Sequence, residues 1–366
     1  MIVSADIGEG HNAAGRALEE AARRAWPGCD VGWLDTLSVA APGFPRLARR
    51  FYISQVQSVP WMYEFFFSAM WRHRWYLDAT RRGAGAWFGR RMLPRIRAAR
   101  PDVVLSTYPL GSAGLSWLRR RGQLAVPAGA WVPAFCPHPS WLYPDLDITY
   151  VMHACAAAIA QRAEPGLRVT IGALPVRDAF TPAGQAAARA RLGVRTDGFL
   201  VALGTGSLGF GHPGHAVAAA LAAGPDVQVV AFCGRNQALR EQLARLGEPS
   251  RRLRVLGWTD DMPDWMTAAD VVISNAGGAT GLEAVASGRP VIMFDTIAGH
   301  GRANASVMAE AGLAILASSV AGLTAAIRRL AREPDLRARH AERAVARATD
   351  RRREDDLAQL AALRTR

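Results

Sequence analysis

The ten-residue run Ser274-Asn-Ala-Gly-Gly-Ala-Thr-Gly-Leu-Glu283 follows an apolar strand-like segment and opens a helical one. Glycines at such a junction let the backbone close on a ligand, and a helix start offers unpaired N–H groups to an anion. Glu283 falls one turn into that helix, where a carboxylate can accept hydrogen bonds from a ribose. A tight strand-to-helix bend that binds nothing would read the same way. Two other segments favour a ligand: Gly204-Thr-Gly-Ser-Leu-Gly-Phe-Gly211 and Gly299-His-Gly-Arg-Ala-Asn304, each after a further apolar run. In a parallel sheet the C-terminal strand ends share one edge, so the three loops would converge there.

A fourth glycine loop, Asp6-Ile-Gly-Glu-Gly-His11-Asn-Ala-Ala14, lies near the start of the chain. A partly exposed histidine in this position, with a near-neutral pKa, would take a proton from a hydroxyl. A helix cap or a packed ring is the other reading of a lone histidine. The loops at Gly8 and Gly204 each resemble a fragment of G-x-G-x-x-G. Neither has the full spacing with an acidic residue about 20 positions on, which argues against a nicotinamide dinucleotide. Asp145-Leu-Asp147 has the D-x-D form of a metal site, but it sits between Pro144 and an apolar run rather than at a sheet edge. No metal is expected.

Composition narrows the chemistry further. The chain has 366 residues, 44 basic against 31 acidic, for a net charge of +13. Every basic residue is arginine, which excludes a P-loop lysine and a Schiff-base lysine. A GC-rich genome accounts for the arginine bias without any function. Cys29, Cys136, Cys155 and Cys233 have no C-x-x-C spacing, so neither a zinc site nor a disulfide framework is indicated, and a reducing cytoplasm fits. Met1 runs straight into a strand-like segment with no signal peptide, although so short a first strand leaves room for a start upstream. No run approaches the ~20 apolar residues of a membrane span. A soluble or peripheral protein is expected.

The elements that must position these loops repeat one pattern. Strands are predicted at 1–5, 103–106 and 128–132, and again at 199–203, 227–233, 253–256, 271–274 and 291–294. Helical spacing separates them, at 12–26, 215–223, 236–246 and 281–286. Continuous apolar strands alternating with helices make an α/β protein with parallel, doubly wound sheets. The length and the change-over near 164–182 imply two domains, 1–174 and 175–345. The charged segment 346–366 reads as a C-terminal helix that packs back on the first domain.

Residues 46–97 interleave eleven arginines with twelve aromatics, and only Glu64 and Asp78 oppose the charge. Aromatics settle at the headgroup level, and each basic residue near an anionic surface contributes about 1 kcal/mol. An anionic membrane patch is the favoured reading. A helical insertion with its aromatics in a core is the second. Nucleic-acid binding is not expected, since no nucleic-acid motif accompanies the stretch.

Together these segments resemble the glycosyltransferase family of monogalactosyldiacylglycerol synthases and processive diacylglycerol glucosyltransferases, related to the peptidoglycan lipid I N-acetylglucosaminyltransferase. Besides the four loops, the resemblance rests on Pro101-Asp-Val-Val-Leu-Ser106, Pro137-His-Pro-Ser-Trp141, Gly172-Ala-Leu-Pro-Val176 and Gly257-Trp-Thr-Asp-Asp-Met262. It implies a GT-B fold of two facing Rossmann-like domains with a cleft between them. It also implies metal-independent, inverting transfer from a UDP-sugar to a lipid hydroxyl at the cytoplasmic membrane face, with no cofactor.

By the same resemblance His11 is the general base, and Gly10, Asn12, His138 and Trp141 lie on the acceptor side. Gly277, Gly278 and Thr280 take the diphosphate, Glu283 the ribose, Gly257 the base, and Asn304 the sugar. Gly204, Ser207 and His300 complete the donor set. Two departures stand out: Pro133-Ala134 where relatives carry Thr-Asp, and Gly299-His300 where they carry Gly-Gln. They leave open a soluble acceptor, or a catalytically silent nucleotide-sugar binder.

Overall fold

The computed structural model describes residues 1–246 and 251–363. The chain divides into two compact units, one of Met1–Arg177 with Ala298–His300 and Arg351–Arg366, the other of Asp178–Ile297 with Gly301–Asp350.

In the first unit β1 (Ile2–Ser4) leads into α1 (Glu9–Ala25) and β2 (Trp33–Asp35). Three helices follow, α2 (Phe44–Ser58), α3 (Pro60–Arg72) and α4 (Arg74–Ala99). The remainder alternates: β3 (Val104–Ser106), α5 (Pro109–Arg120), β4 (Ala128–Trp131), β5 (Ile148–Val151), α6 (Ala154–Ala163) and β6 (Val169–Ile171). All neighbouring strands are parallel, in the order β2-β1-β3-β4-β5-β6. The order reverses between β1 and β3, and at such a switch point the two C-terminal strand ends leave a crevice.

The second unit begins with α7 (Gln185–Leu192), then β7 (Phe199–Gly204), α8 (Pro213–Leu221), β8 (Val227–Phe232), α9 (Gln237–Leu246) and β9 (Leu253–Leu256). It continues with α10 (Met262–Ala268), β10 (Val271–Ser274), α11 (Ala279–Ala286), β11 (Val291–Phe294), α12 (His300–Glu310) and β12 (Ala314–Ala317). The order is β12-β11-β10-β7-β8-β9, again all parallel. Its switch point lies between β7 and β10, whose ends carry the Gly204 and Gly277 loops. Strands β7, β10 and β11 are buried along their length, as a sheet covered on both faces requires.

Two helices, α13 (Val320–Arg332) and α14 (Pro334–Thr349), pack on the second unit, and α15 (Arg353–Ala361) belongs to the first. The expected single helix over 346–366 is therefore broken: residue 346 lies within α14, and residues 364–366 fall outside the described residues. A buried network holds α15 after the break. The Asp356 carboxylate accepts from Ala173 N at 2.6 Å and from Arg351 at 2.6 Å, and its carbonyl accepts from Tyr150 Oη at 2.6 Å.

The basic aromatic stretch folds as α2, α3 and α4, with part of it in the core and part exposed. Phe88 is core, and Arg81 is buried in an ion pair with Glu164 at 2.8 Å. Phe51, Trp61, Phe65, Phe66, Trp71 and Trp75 remain exposed. Among the described residues no helix is long and apolar enough to cross a membrane.

Candidate active site

At the first unit's switch point, Gly8 is extended and α1 starts one residue later, so Gly10 and His11 fall in its first turn. His11 Nδ1 lies 2.8 Å from the Thr107 carbonyl oxygen, just past the end of β3. A carbonyl only accepts, so Nδ1 carries the proton and the Nε2 lone pair is left for a ligand. The imidazole sits edge-on to Tyr108, 5.0 Å between centroids, and 5.8 Å from Trp141. Burial pushes its pKa down to about 4, against the near-neutral value expected from sequence. The ring is neutral at ordinary pH, the state a general base needs. Asn12 Oδ1 accepts from Ser4 Oγ at 2.6 Å and ties α1 to β1.

In the second unit four strand-end loops are cross-tied. A Cβ on Gly204 would stand 2.4 Å from Thr280 Cγ2, so the first turn of α11 packs directly on the end of β7. Ser207 O accepts from Arg235 N at 3.0 Å, joining the loops after β7 and β8. Asn275 Nδ2 donates to Phe210 O at 2.9 Å, and the Asp295 carboxylate accepts from His212 N at 2.8 Å, joining the loops after β10 and β11 to the β7 loop. Asp295 takes φ +46°, a conformation Asp tolerates better than most residues. A Cβ on Gly278, the residue before α11, would meet nothing within 4 Å. That leaves space at the positive end of the helix dipole, where an anion is favoured. Glu283 lies half-buried one turn further on. Beside these loops a cavity of about 330 Å³ is lined by Gly234, Asn236, Gln237, Arg240, Gly257 and Trp258. The Arg235 guanidinium lies over the Trp258 ring at 3.7 Å.

Residues 11–166 match the model of the monogalactosyldiacylglycerol (MGDG) synthase family, and residues 205–357 match the glycosyltransferase family 28 C-terminal domain. Between them the two matches mark the chain as a glycosyltransferase. The processive diacylglycerol beta-glucosyltransferase of Bacillus mycoides is 22% identical over 326 residues, 86% of this chain and 81% of that protein. The probable monogalactosyldiacylglycerol synthase 2, chloroplastic, of Oryza sativa subsp. indica is 28% identical over 338 residues, 86% of this chain and 70% of that protein. The crystal structure of MurG from Acinetobacter baumannii shares the GT-B fold, with a TM-score of 0.59 and 16% identity over 98% of both chains.

Several of the expected site residues of the transferase are buried and hydrogen-bonded internally. His138, expected on the acceptor side, is 7% exposed and uses both ring nitrogens internally. Its Nε2 donates to Phe67 O at 3.0 Å, and its Nδ1 faces Ser140 Oγ at 2.8 Å. Asn304, expected on the sugar, is 2% exposed and donates from Nδ2 to Ala276 O at 3.1 Å. The turn at Gly277, with φ +63°, lies against Asn304, so this side chain supports the loop from beneath. Trp141 is also buried, and only its ring contact with His11 relates it to the site. Arg81 holds it there by donating to Pro139 O at 2.7 Å and Leu142 O at 2.5 Å on either side. Asp145 and Asp147 are engaged by Ser116, Arg119 and Arg120, which gives the D-x-D pair a structural part.

Sequence reasoning missed Tyr63, whose hydroxyl lies 3.1 Å from His300 Nδ1, and Glu64, which accepts from Gly299 N at 2.6 Å. The available signal was Glu64 itself, one of only two acids in the arginine-rich stretch.

Proposed function

We propose that the transferase moves a sugar from a UDP-sugar to the hydroxyl of a diacylglycerol-type lipid at a membrane surface, with inversion and without a metal. The observation that carries the reading is the His11–Thr107 hydrogen bond, which leaves a neutral Nε2 acceptor at the first unit's switch point. His11 Nε2 takes the proton of the acceptor hydroxyl as its oxygen bonds to the anomeric carbon. The bond from that carbon to the phosphate oxygen breaks, and UDP leaves with the electron pair. Attack opposite the leaving group inverts the anomeric centre. The charge on the diphosphate is met by backbone N–H groups around Gly277, Gly278 and Thr280 and by the α11 dipole. Glu283 accepts from the ribose hydroxyls, and the cavity beside Gly257 frames the base. Ser207 contributes from the β7 loop.

The acceptor class rests on the relatives' names together with the exposed aromatics of α2 to α4 and the net charge of +13. Large exposed apolar patches mark interaction surfaces, and arginine adds attraction to anionic lipid. Such a surface would seat the protein on the cytoplasmic face, peripherally. The test is transfer from radiolabelled UDP-glucose, UDP-galactose or UDP-N-acetylglucosamine to diacylglycerol in anionic vesicles. Label in the lipid phase that disappears with His11→Ala supports the reading. Label only in water-soluble products, or none with any donor, overturns it.

A further inference from the structure

The segment Ala298–His300 is gripped by two consecutive residues of α3. Glu64 Oε2 accepts from Gly299 N at 2.6 Å, and the Tyr63 hydroxyl meets His300 Nδ1 at 3.1 Å with the rings edge-on. Gly299 has φ +67°, and a Cβ there would stand 2.9 Å from Tyr63 Cε1 and 3.1 Å from Phe67 Cγ. The segment therefore lies flat on α3 with no room for a side chain at its centre. The helix is fixed in turn: the His138 ring stacks on Phe67 at 4.0 Å and hydrogen-bonds its carbonyl.

This arrangement sets the tautomer of His300. If the half-buried Tyr63 hydroxyl accepted from an Nδ1–H, its own proton would be left without a partner in this contact. Donating to a bare Nδ1 satisfies both groups. The proton of the neutral imidazole then resides on Nε2. Burial, reinforced by nearby His11, pushes the His300 pKa down to about 4, so the ring stays neutral. The two histidines have opposite tautomers. His11 keeps a lone pair on Nε2, and His300 keeps an N–H there.

We propose that Tyr63 and Glu64 are positioning residues that hold His300 with its Nε2–H as a fixed hydrogen-bond donor to a hydroxyl oxygen of the donor sugar. The inference rests on the transferase reading for its ligand, but the clamp itself rests on geometry alone. It gives the aromatic insertion a second task besides facing lipid, because an element of that insertion orients a residue directed at the sugar.

Two measurements on the full chain test it. In ¹⁵N-histidine-labelled protein, with the His300 signals assigned by their loss in His300→Gln, the wild type should show the Nε2–H tautomer, and Tyr63→Phe should show a mixture. An unchanged tautomer in Tyr63→Phe overturns the clamp, whether or not a substrate is known. In kinetics, Tyr63→Phe should raise the donor KM about tenfold, the size of one lost hydrogen bond, and leave the acceptor KM unchanged. In a His300→Ala background the same change should have less than about a twofold effect, since coupled residues are not additive. An equal effect in both backgrounds assigns Tyr63 a purely structural part and overturns the proposal. If no donor is turned over at all, the transferase reading falls, and the NMR measurement still decides the clamp.

Discussion

His11 and Thr107 lie on either side of the first sheet's switch point, joined by a 2.8 Å hydrogen bond from the imidazole Nδ1 to the carbonyl oxygen. One consequence concerns the acid limb of the pH–rate profile. With its pKa pushed to about 4 by burial, the proposed base loses its lone pair only near that pH, not near 6.5. We expect kcat/KM to be flat from neutral pH down to about pH 5 and to fall below it, measured before unfolding intervenes. His11→Ala should lower kcat by a factor of about 10² to 10⁴ with the melting temperature preserved. A limb near 6.5, or unaltered turnover in the alanine variant, would remove His11 from this role.

Burial lowers the pKa of His11, His138 and His300 alike, each to about 4 from an ordinary 6.5. Between these values the unfolded chain binds more protons than the native one, so stability rises with pH across that window and levels off above it. Each fully contributing histidine adds a slope of about 1.4 kcal/mol per pH unit. Carboxylates such as Glu164, whose pKa is held down by Arg81 and Arg74 against the effect of burial, act in the same direction at lower pH. The diagnostic is therefore the difference between wild type and His138→Gln in urea melts at pH 4.5 and pH 7. Glutamine can still donate to Phe67 O and accept from Ser140, so the variant should lose less stability on acidification. Identical slopes would rule out His138 as a contributor.

Gly277 offers a test confined to the second unit. Alanine there would have to adopt φ +63° and place its Cβ 2.9 Å from Asn304 Cβ. The left-handed conformation alone costs about 1 kcal/mol or more in a non-glycine residue. Gly277→Ala should fold, melt several degrees lower, and bind UDP at least tenfold more weakly by calorimetry. A variant with wild-type UDP affinity would place the diphosphate elsewhere than this turn.

The strands that were legible in the sequence are those whose apolar runs stand clear of their neighbours. The second unit's β7 to β11 are of this kind. The expectations missed β2, β5, β6 and β12, which are three or four residues long and embedded in aromatic, proline-flanked or alanine-rich surroundings where no period can show. The glycine loops were legible because few residues other than glycine can make such turns. The inward hydrogen bonds of His138 and Asn304 were illegible for a common reason. A motif fixes residue type and order, but whether a polar side chain faces a ligand or a backbone carbonyl depends on a partner far along the chain. Phe67 O lies 71 positions from His138, and Ala276 O lies 28 from Asn304. Tyr63 and His300 are 237 apart, and beyond the neighbouring acid Glu64 nothing local to either foretold the contact.

The exposed aromatics make the membrane proposal quantitative. Trp61 is 71% and Phe65 64% exposed on α3, with Trp75 72% exposed at the start of α4, and arginines 46, 50, 72 and 82 are exposed on the same three helices. An apolar side chain moved out of water contributes about 1.5–3 kcal/mol when fully buried, and partial insertion at the headgroup level contributes a fraction of that. Arginine attraction falls with ionic strength, because the Debye length shrinks from about 10 Å at 0.1 M salt to about 3 Å at 1 M. Flotation with vesicles should therefore show binding to anionic lipid that weakens with salt and persists in part at 1 M. The double variant Trp61→Ala, Phe65→Ala should bind about tenfold more weakly at every salt concentration while keeping the same salt dependence. The two contributions are separable because the substitutions remove apolar area and no charge. Binding that vanishes entirely at 1 M salt, or that the double variant leaves unchanged, would reduce the surface to a purely ionic one and remove the aromatics of α3 from lipid contact.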